Sequence, residues 1–400
     1  MFSKIVISGG WSYGNLGDEV IARATMGLLE KVFPEAEKVY TSFDTEDFLE
    51  KHGMRSLEAV HSKIKKLRCD DEQMQEMIEK PEKYGLRTYA DLFDEDTLFI
   101  MSGGGYFDGN WTSQFVARIV EIELAIKGGA KAAILGQSIG PFVNEEQVQV
   151  VAKTLGKCSF INVRDEISRE LLNRLMPEKE ISCTADIALT ISDFIPRPVK
   201  EHTDKKICNL VVQIYTSYVE NGVVKRKNDR IWKRITLILY RYNLAWVLLI
   251  RMLSKKLGMQ CRIVLNVQGT SKISNNHFEK YANQLKKYSG CSDMHIVNNT
   301  TVQQFCEALA EGDAIVSCKM HPLIISTSYG VPAYAISQHY KIDAFMEWVG
   351  RKANCQRNSR FSPFKIISLM KDEEKNGCNL ALVQQRKEEI YEMVTGLKNI

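Results

Sequence analysis

The chain has 400 residues, a formal net charge of +4 and 44% hydrophobic side chains, which is the composition of an ordinary globular protein without a nucleic-acid-binding surface. Its ten cysteines form no C-x-x-C pair and no His/Cys cluster at zinc spacing, so they indicate neither a structural zinc nor a disulfide framework. Because the first residues, MFSKIVISGG, already read as a strand, we expect no signal peptide and a cytoplasmic location.

The first half of the chain alternates strand patterns with helical patterns. Short apolar runs that end in glycine or polar loops predict strands at 4–8, 38–41, 98–101, 132–135, 160–163 and 182–184. Helical periodicity predicts helices at 19–32, 111–127, 145–157 and 166–175. This alternation is typical of a doubly wound parallel sheet.

The alternation restarts after a proline-rich, charged linker at 194–206. Strands are predicted at 207–214, 262–267, 295–297, 314–317 and 333–337, and a helix at 380–397. We therefore expect two Rossmann-like α/β domains facing across a cleft, a glycosyltransferase-B-like arrangement. The predicted boundaries are 1–195 and 206–350, with a helical segment at 351–400 that packs back on the first domain.

Four polar, mostly glycine-rich loops follow strands of the first half. The first, ISGGWSYGNLGDEV, lacks both the G-x-G-x-x-G pattern and a Walker A Lys-Ser/Thr pair, which disfavours dinucleotide and nucleotide binding. The negative charges of Asp18 and Glu19 oppose phosphate binding there. Their carboxylates can instead accept hydrogen bonds from the hydroxyls of a sugar. An equally weighted alternative makes both residues simple helix caps.

The other three loops add polar groups to the same predicted sheet edge. SGGGYFDGNW brings Tyr106, Asp108 and Trp111, GQSIGPF brings Gln137, and INVRDEIS brings Arg164 next to Asp165. A mutual ion pair is the alternative explanation for the last two residues. Four such loops at one edge of one sheet predict a binding site.

Residues 314–350 contain the strongest local signal. A buried strand, AIVS, runs directly into Lys319 and His321, and Pro322 suits the first turn of a helix. The free N–H groups and positive dipole end of a helix N-terminus attract an anion. Lys319 adds a charge, and His321 adds a group that titrates near neutral pH.

In this order and at these spacings, the segments resemble the polysaccharide pyruvyl transferase family over most of the chain. The matching pieces are GNLGDEVI, SGGGYF, GQSIGPF, VRDEIS, ADIAL, SCKMHPLIISTSYGVPAYAIS, the pair Tyr340-Lys341 and DAFMEWVG. The chain departs from the family pattern at Lys319, where arginine is usual. It departs again at Gln338-His339-Tyr340, where an aspartate-proline pair is more frequent.

The resemblance implies an enzyme that transfers a pyruvyl group from phosphoenolpyruvate to hydroxyls of a polysaccharide or lipid-linked glycan precursor, usually as a cyclic ketal. It implies no metal and no cofactor besides phosphoenolpyruvate as co-substrate. His321 is the candidate acid or phosphate-binding group, with a purely structural histidine as the alternative, and Asp18 or Asp108 is the candidate base. The candidate donor-binding residues are Lys319, Met320, His321, Arg164 and Lys341. The candidate acceptor-binding residues are Gly14, Asn15, Gly17, Asp18, Gly104, Gly105, Tyr106 and Gln137.

Residues 230–256 form a basic amphipathic segment if they are helical. The favoured interpretation is a helix with its apolar face on the core and a solvated basic stripe. The alternative is peripheral contact with the inner face of the cytoplasmic membrane, because related enzymes use lipid-linked sugars.

Two other functions compete with pyruvyl transfer. A sugar-nucleotide glycosyltransferase of the same fold would need a carboxylate for the ribose, but no acid follows Lys319 before Asp343. A non-catalytic glycan-binding protein is conceivable because Lys319 replaces the family's arginine.

Overall fold

The computed structural model describes residues 2–64, 71–110, 112–199, 205–212, 218–220, 223–225, 229–265, 272–376 and 380–400. The chain forms two compact units. One unit comprises Met1–Phe194 together with Gln384–Ile400, and the other comprises Ile195–Val383. Each is an α/β unit built on its own parallel sheet, as the alternation of strand and helix patterns predicts.

The first sheet has eight strands in the order β3-β2-β1-β4-β6-β7-β8, with β5 pairing β6 off this path. All of its pairings are parallel. The strands are β1 (Lys4–Ser8), β2 (Glu37–Ser42), β3 (Ser56–Glu58), β4 (Thr97–Met101), β5 (Gly104–Phe107), β6 (Lys131–Ile139), β7 (Phe160–Val163) and β8 (Ser182–Cys183). The chain moves from β1 outward to β3, then returns to the other side of β1 to form β4. The switch point of the sheet therefore lies between β1 and β4.

Four helices of the first unit begin at side chains that cap them. Asn15, Asp44, Asn144 and Asp165 each accept a hydrogen bond from a backbone N–H of the first helical turn that follows. The helices are α1 (Leu16–Val32), α2 (Thr45–His52), α3 (Val60–Ile64), α4 (Asp71–Glu79), α5 (Arg87–Ala90), α6 (Thr112–Lys127), α7 (Glu145–Gly156) and α8 (Glu166–Leu175).

The second sheet has six parallel strands in the order β13-β12-β9-β14-β15-β16, and a separate antiparallel hairpin pairs β10 with β11. The strands are β9 (Ile207–Val211), β10 (Tyr218–Glu220), β11 (Val223–Lys225), β12 (Gln260–Leu265), β13 (Met294–Asn298), β14 (Ala314–Ser317), β15 (Ala333–Ser337) and β16 (Cys355–Arg357). Its switch point lies between β9 and β14. The last positions of the predicted strands at 207–214 and 262–267 fall outside the described residues.

Seven helices are described after β11. They are α9 (Asp229–Leu257), α10 (Lys272–Ser289), α11 (Val302–Ala310), α12 (Met320–Ser328), α13 (Tyr340–Trp348), α14 (Pro363–Asn376) and α15 (Leu380–Gly396). In the second half of α9, Trp246, Ile250 and Leu253 are fully buried in the core of the second unit. This placement agrees with the core-facing interpretation of that part of the amphipathic segment, whereas the side chains at 230–242 lie outside the described residues. Across the described ranges, none of the helices is both long and apolar enough to cross a membrane.

Helix α15 begins in the second unit, which ends at Val383. From Gln384 onward the helix belongs to the first unit. Lys387 Nζ lies 2.8 Å from Asp193 Oδ1, and Lys31 Nζ donates to Tyr391 Oη at 3.0 Å. Ile390 and Leu397 are fully buried. The first unit is therefore completed by the last 17 residues of the chain.

Candidate functional site

The loops that follow β1 and β4 lie next to each other at the switch point of the first sheet. Ser102 N donates to Ser8 O at 2.8 Å, which joins the ends of the two strands. Beyond them, the buried Tyr106 ring lies against the backbone of Gly10 and Gly104. A Cβ atom at either glycine would overlap the ring. The glycines in these two loops therefore allow an aromatic ring to pack against bare backbone.

Glu19 organises the loop after β1 from the inside. Its side chain is fully buried; Oε1 accepts from Ser12 N at 2.6 Å, and Oε2 lies 2.7 Å from His52 Nε2. Ser12 has a positive φ of 60°, a conformation that costs energy for a residue other than glycine. Glu19 thus supports the loop rather than facing a ligand.

Asp18 has a different environment from its neighbour. Its Oδ2 accepts from Asn15 Nδ2 at 2.9 Å, while Asn15 Oδ1 caps α1 by accepting from Gly17 N. Burial, reinforced by the negative charge of Glu19, raises the pKa of Asp18 from 3.8 to about 7, although the positive charge of Arg164 opposes the shift. A carboxyl group with this pKa can exchange a proton near neutral pH.

A pocket with an empty volume of about 360 Å³ opens at this switch point. It is bordered by the ends of β1, β2 and β3 together with α1, β5 and α6. The lining residues are Gly9, Gly10, Tyr13, Asp18, Phe43, Ala59, His61, Tyr106, Gln114 and Arg118. Asp18 and Tyr106 were predicted as site residues; His61, Gln114 and Arg118 were not, because they follow no recognisable motif.

Arg118 is buried beneath the pocket. Its Nη1 lies 2.6 Å from Glu121 Oε2 and donates to Ser8 Oγ at 2.9 Å, and its guanidinium lies 5.1 Å from the centre of the Tyr106 ring. Ser8 is the last residue of β1, and Tyr106 lies in β5, which follows β4. Arg118 therefore connects α6 to both sides of the switch point, and its charge is compensated by Glu121.

Arg164 pairs with Asp186, not with Asp165. Arg164 Nη1 lies 2.5 Å from Asp186 Oδ2, and its Nε donates to Ser138 Oγ at 2.9 Å. Asp165 instead caps α8 by accepting from Ser168 N and accepts from Ser138 Oγ at 2.7 Å. The expected Arg164–Asp165 pair is replaced because the cap occupies the Asp165 carboxylate. Arg164 belongs to the first unit, near enough to Asp18 to affect its pKa.

The structure places the other predicted acceptor-side residues as follows. Gln137 is fully buried, with its Nε2 donating to Ser102 O and its Oε1 facing Tyr106 N, so it joins the segment after β4 to β6. Asp108 Oδ1 accepts hydrogen bonds from the backbone N–H and from the side-chain Nδ2 of Asn110, and these bonds form a local turn. Gly14 has φ of 85° in the loop before α1. Trp111 lies outside the described residues.

In the second unit, Lys319 and His321 follow β14 at the switch point of the sheet. Cys318 N donates to Val211 O at the end of β9, so the two strands that flank the switch point are joined there. Lys319 is the N-cap residue of α12, and Met320 and His321 form its first turn. Burial lowers the pKa of Lys319. An anion held beside this ammonium group would offset the cost of its burial.

A second helix begins at the end of the neighbouring strand. His339 caps α13 after β15, and Lys341 lies in the first turn of α13. Arg357 ends β16 in register with Ser337 of β15 and is exposed. Three adjacent parallel strands thus each have a cationic residue at or just beyond their carboxyl end. Arg357 was missed in the sequence because β16, with the sequence CQR, is not an apolar run.

No group of three or more His, Cys, Asp or Glu side chains among the described residues has the arrangement of a metal site. The eight cysteines within those ranges are free thiols. The polar groups brought together by the structure are therefore the Asp18 pocket of the first unit and the cationic strand ends of the second.

The model of the polysaccharide pyruvyl transferase family matches residues 15–340. The UDP-GlcNAc 2-epimerase of Neisseria meningitidis bound to UDP-GlcNAc has a similar structure, with a TM-score of 0.58 and 11% identity over 99% of this chain and 100% of that one. The Methanocaldococcus jannaschii UDP-GlcNAc 2-epimerase has a TM-score of 0.57 and 12% identity over 92% of each chain. A putative UDP-N-acetylglucosamine 2-epimerase from Listeria monocytogenes has a TM-score of 0.54 and 11% identity over 99% of this chain and 91% of that one. At these identities the likeness shows a glycosyltransferase-B-type fold. No curated protein matches the chain.

Proposed function

The chain belongs to the polysaccharide pyruvyl transferase family, a family of transferases, and we propose that it moves a pyruvyl group from phosphoenolpyruvate to a glycan. The observation that carries this proposal is the position of Lys319 and His321. They lie at a helix N-terminus at the switch point of the second sheet, within the segment that the family model matches.

Phosphoenolpyruvate carries about three negative charges, so its site needs concentrated positive charge. The first turn of α12 supplies free N–H groups and the positive end of a helix dipole, and Lys319 adds a full charge. Lys341, in the first turn of α13 after β15, and Arg357, the last residue of β16, lie at the same edge. We assign the donor to these residues of the second unit.

The reaction requires a proton donor, a base and a phosphate-binding site. A proton adds to C3 of phosphoenolpyruvate, and the oxygen of an acceptor hydroxyl bonds to C2 as that hydroxyl loses its proton. A second hydroxyl then bonds to C2 and gives its proton to the departing phosphate as the C2–O bond to phosphate breaks, giving the ketal and inorganic phosphate. In this scheme His321 donates the proton or binds the leaving phosphate, and Asp18 accepts the hydroxyl proton.

The test is phosphate release by the purified full chain with phosphoenolpyruvate and a panel of glycans that carry neighbouring hydroxyls. We expect release only when donor and acceptor are both present, together with a gain of pyruvate mass on one glycan. Lys319→Ala is the matched control for donor binding. Turnover of a UDP-sugar in place of phosphoenolpyruvate would contradict the proposal and indicate a glycosyltransferase.

A further inference from the structure

We infer that the Asp18 pocket, at the carboxyl ends of β1, β2 and β3, binds a pyranose ring of the acceptor against an aromatic wall formed by Tyr13, Phe43 and His61. The inference rests on the proposed function, because it names the substrate group that the same site would hold. Tyr13 and Phe43 lie in the loops after β1 and β2, and His61 lies in α3, which follows β3, so the carboxyl ends of three adjacent strands bring them to one edge of the sheet.

The aromatic wall is a contiguous cluster. The Tyr13 and Phe43 ring centres are 4.8 Å apart, with the planes nearly perpendicular at 79°. The His61 ring centre lies 5.7 Å from Tyr13 and 5.3 Å from Phe43. His61 is buried, whereas Tyr13 is 44% exposed. A large aromatic side chain that is half exposed at a pocket mouth, yet held in place by two other rings, offers apolar surface for a ligand at little entropic cost.

The charge in the pocket favours a neutral ligand. The charged side chains that line it are Asp18 and Arg118, and the guanidinium of Arg118 is already 2.6 Å from Glu121 Oε2. A phosphate would therefore meet no uncompensated positive charge from these residues. Sugar hydroxyls, in contrast, can donate to the Asp18 carboxylate while the apolar C–H face of the ring covers the aromatic wall.

The direct test is ligand-observed NMR on the full chain with three probes: methyl β-D-glucopyranoside, methyl β-D-galactopyranoside and methyl N-acetyl-β-D-glucosaminide. We expect at least one probe to bind. Tyr13→Ala should weaken that binding about tenfold, and Tyr13→Phe should retain it, because the ring and not the hydroxyl supplies the contact. Tyr288→Ala, which removes a tyrosine that is 62% exposed in the second unit, is the control and should leave binding unchanged.

Stabilisation by phosphoenolpyruvate, measured as a rise in Tm, separates this inference from the proposed function. If phosphoenolpyruvate stabilises both the wild type and Tyr13→Ala, and the Tyr13→Ala variant loses sugar binding alone, the inference holds. If no probe binds, or if Tyr13→Ala binds the sugar as well as the wild type does, the inference is wrong whatever the donor result. If phosphoenolpyruvate does not raise the Tm of the wild type, that result counts against the proposed function instead.

Discussion

Asp18 and Glu19 are adjacent acids at the start of one helix, yet the structure gives them different environments. Glu19 is buried against Ser12 and His52, whereas Asp18 lines a pocket and has a pKa of about 7. If Asp18 is the base, kcat should rise with pH through about 7 and then level off. Asp18→Asn should lower kcat by ~10²–10⁴-fold and remove the inflection from the pH profile. An unchanged profile would exclude Asp18 as the base.

The raised pKa of Asp18 also predicts a stability effect. An isolated aspartate ionises near 3.8, so between about pH 4 and 7 the unfolded chain has released a proton that the folded chain retains. The contribution of this residue to the free energy of unfolding therefore falls as pH rises from about 4 to 7, and it is constant above that range. Asp18→Asn should raise Tm relative to the wild type at pH 8 and leave it nearly unchanged at pH 4. If the substitution changed Tm by the same amount at both pH values, the raised pKa of Asp18 would be contradicted.

Lys319 tests whether a point charge holds the donor. Lys319→Ala should raise the KM for phosphoenolpyruvate, while Lys319→Arg should be tolerated because it keeps the charge. Since burial lowers the pKa of Lys319, the KM of the wild type should rise at alkaline pH, and the arginine variant should lose this rise. Initial rates from pH 7 to 10 measure both effects. A KM that is the same in all three proteins would place the donor elsewhere.

His321 tests the source of the proton. His321→Ala should lower kcat by ~10²–10⁴-fold and leave Tm close to that of the wild type, because the side chain is only partly buried in the first turn of α12. Single-turnover rates and thermal unfolding separate the two properties. Unfolding of this variant, or full turnover, would assign His321 a structural role.

At the scale of elements, the long and strongly patterned segments were predicted from the sequence. β1, β7, β14 and β15 begin and end where the apolar runs predict. Short elements such as β3 and β16 were missed because their sequences, SLE and CQR, are not apolar runs. Both contribute to the candidate sites: β3 leads into His61, and β16 ends at Arg357.

The packing of the two glycine loops on Tyr106 gives a prediction at this scale. Gly10→Ala should lower the free energy of unfolding by ~1–3 kcal/mol, because its Cβ would overlap the buried Tyr106 ring. Gly396→Ala is the control, since its backbone is helical and a Cβ there meets nothing within 4 Å. Denaturant unfolding should show loss of stability in the first variant only. Equal stability of the two variants would mean that the ring moves freely.

For the whole molecule, the return of the chain to its first unit is the feature with the clearest energetic consequence. Ile390 is fully buried although it lies almost 200 residues beyond the rest of that unit. Ile390→Ala should lower the free energy of unfolding by ~2–5 kcal/mol, whereas Glu392→Ala, at an exposed position of the same helix, should change it little. Calorimetry of the full chain measures both. A neutral Ile390→Ala would show that this helix is not needed for stability.

The fold class and the family could be predicted from the amino-acid sequence alone. Periodicity of apolar residues is a local property, so it predicted the strand–helix alternation, and ordered motifs predicted the family whose model matches residues 15–340. The folded chain was needed to show which polar residues share an environment. His61, Gln114 and Arg118 line the pocket with Asp18, and Arg164 pairs with Asp186, because strand order brings distant loops to one sheet edge. Burial, which separates the pKa of Asp18 from its ordinary value, is likewise a property of the packed chain, since it depends on neighbours that lie far apart in the sequence.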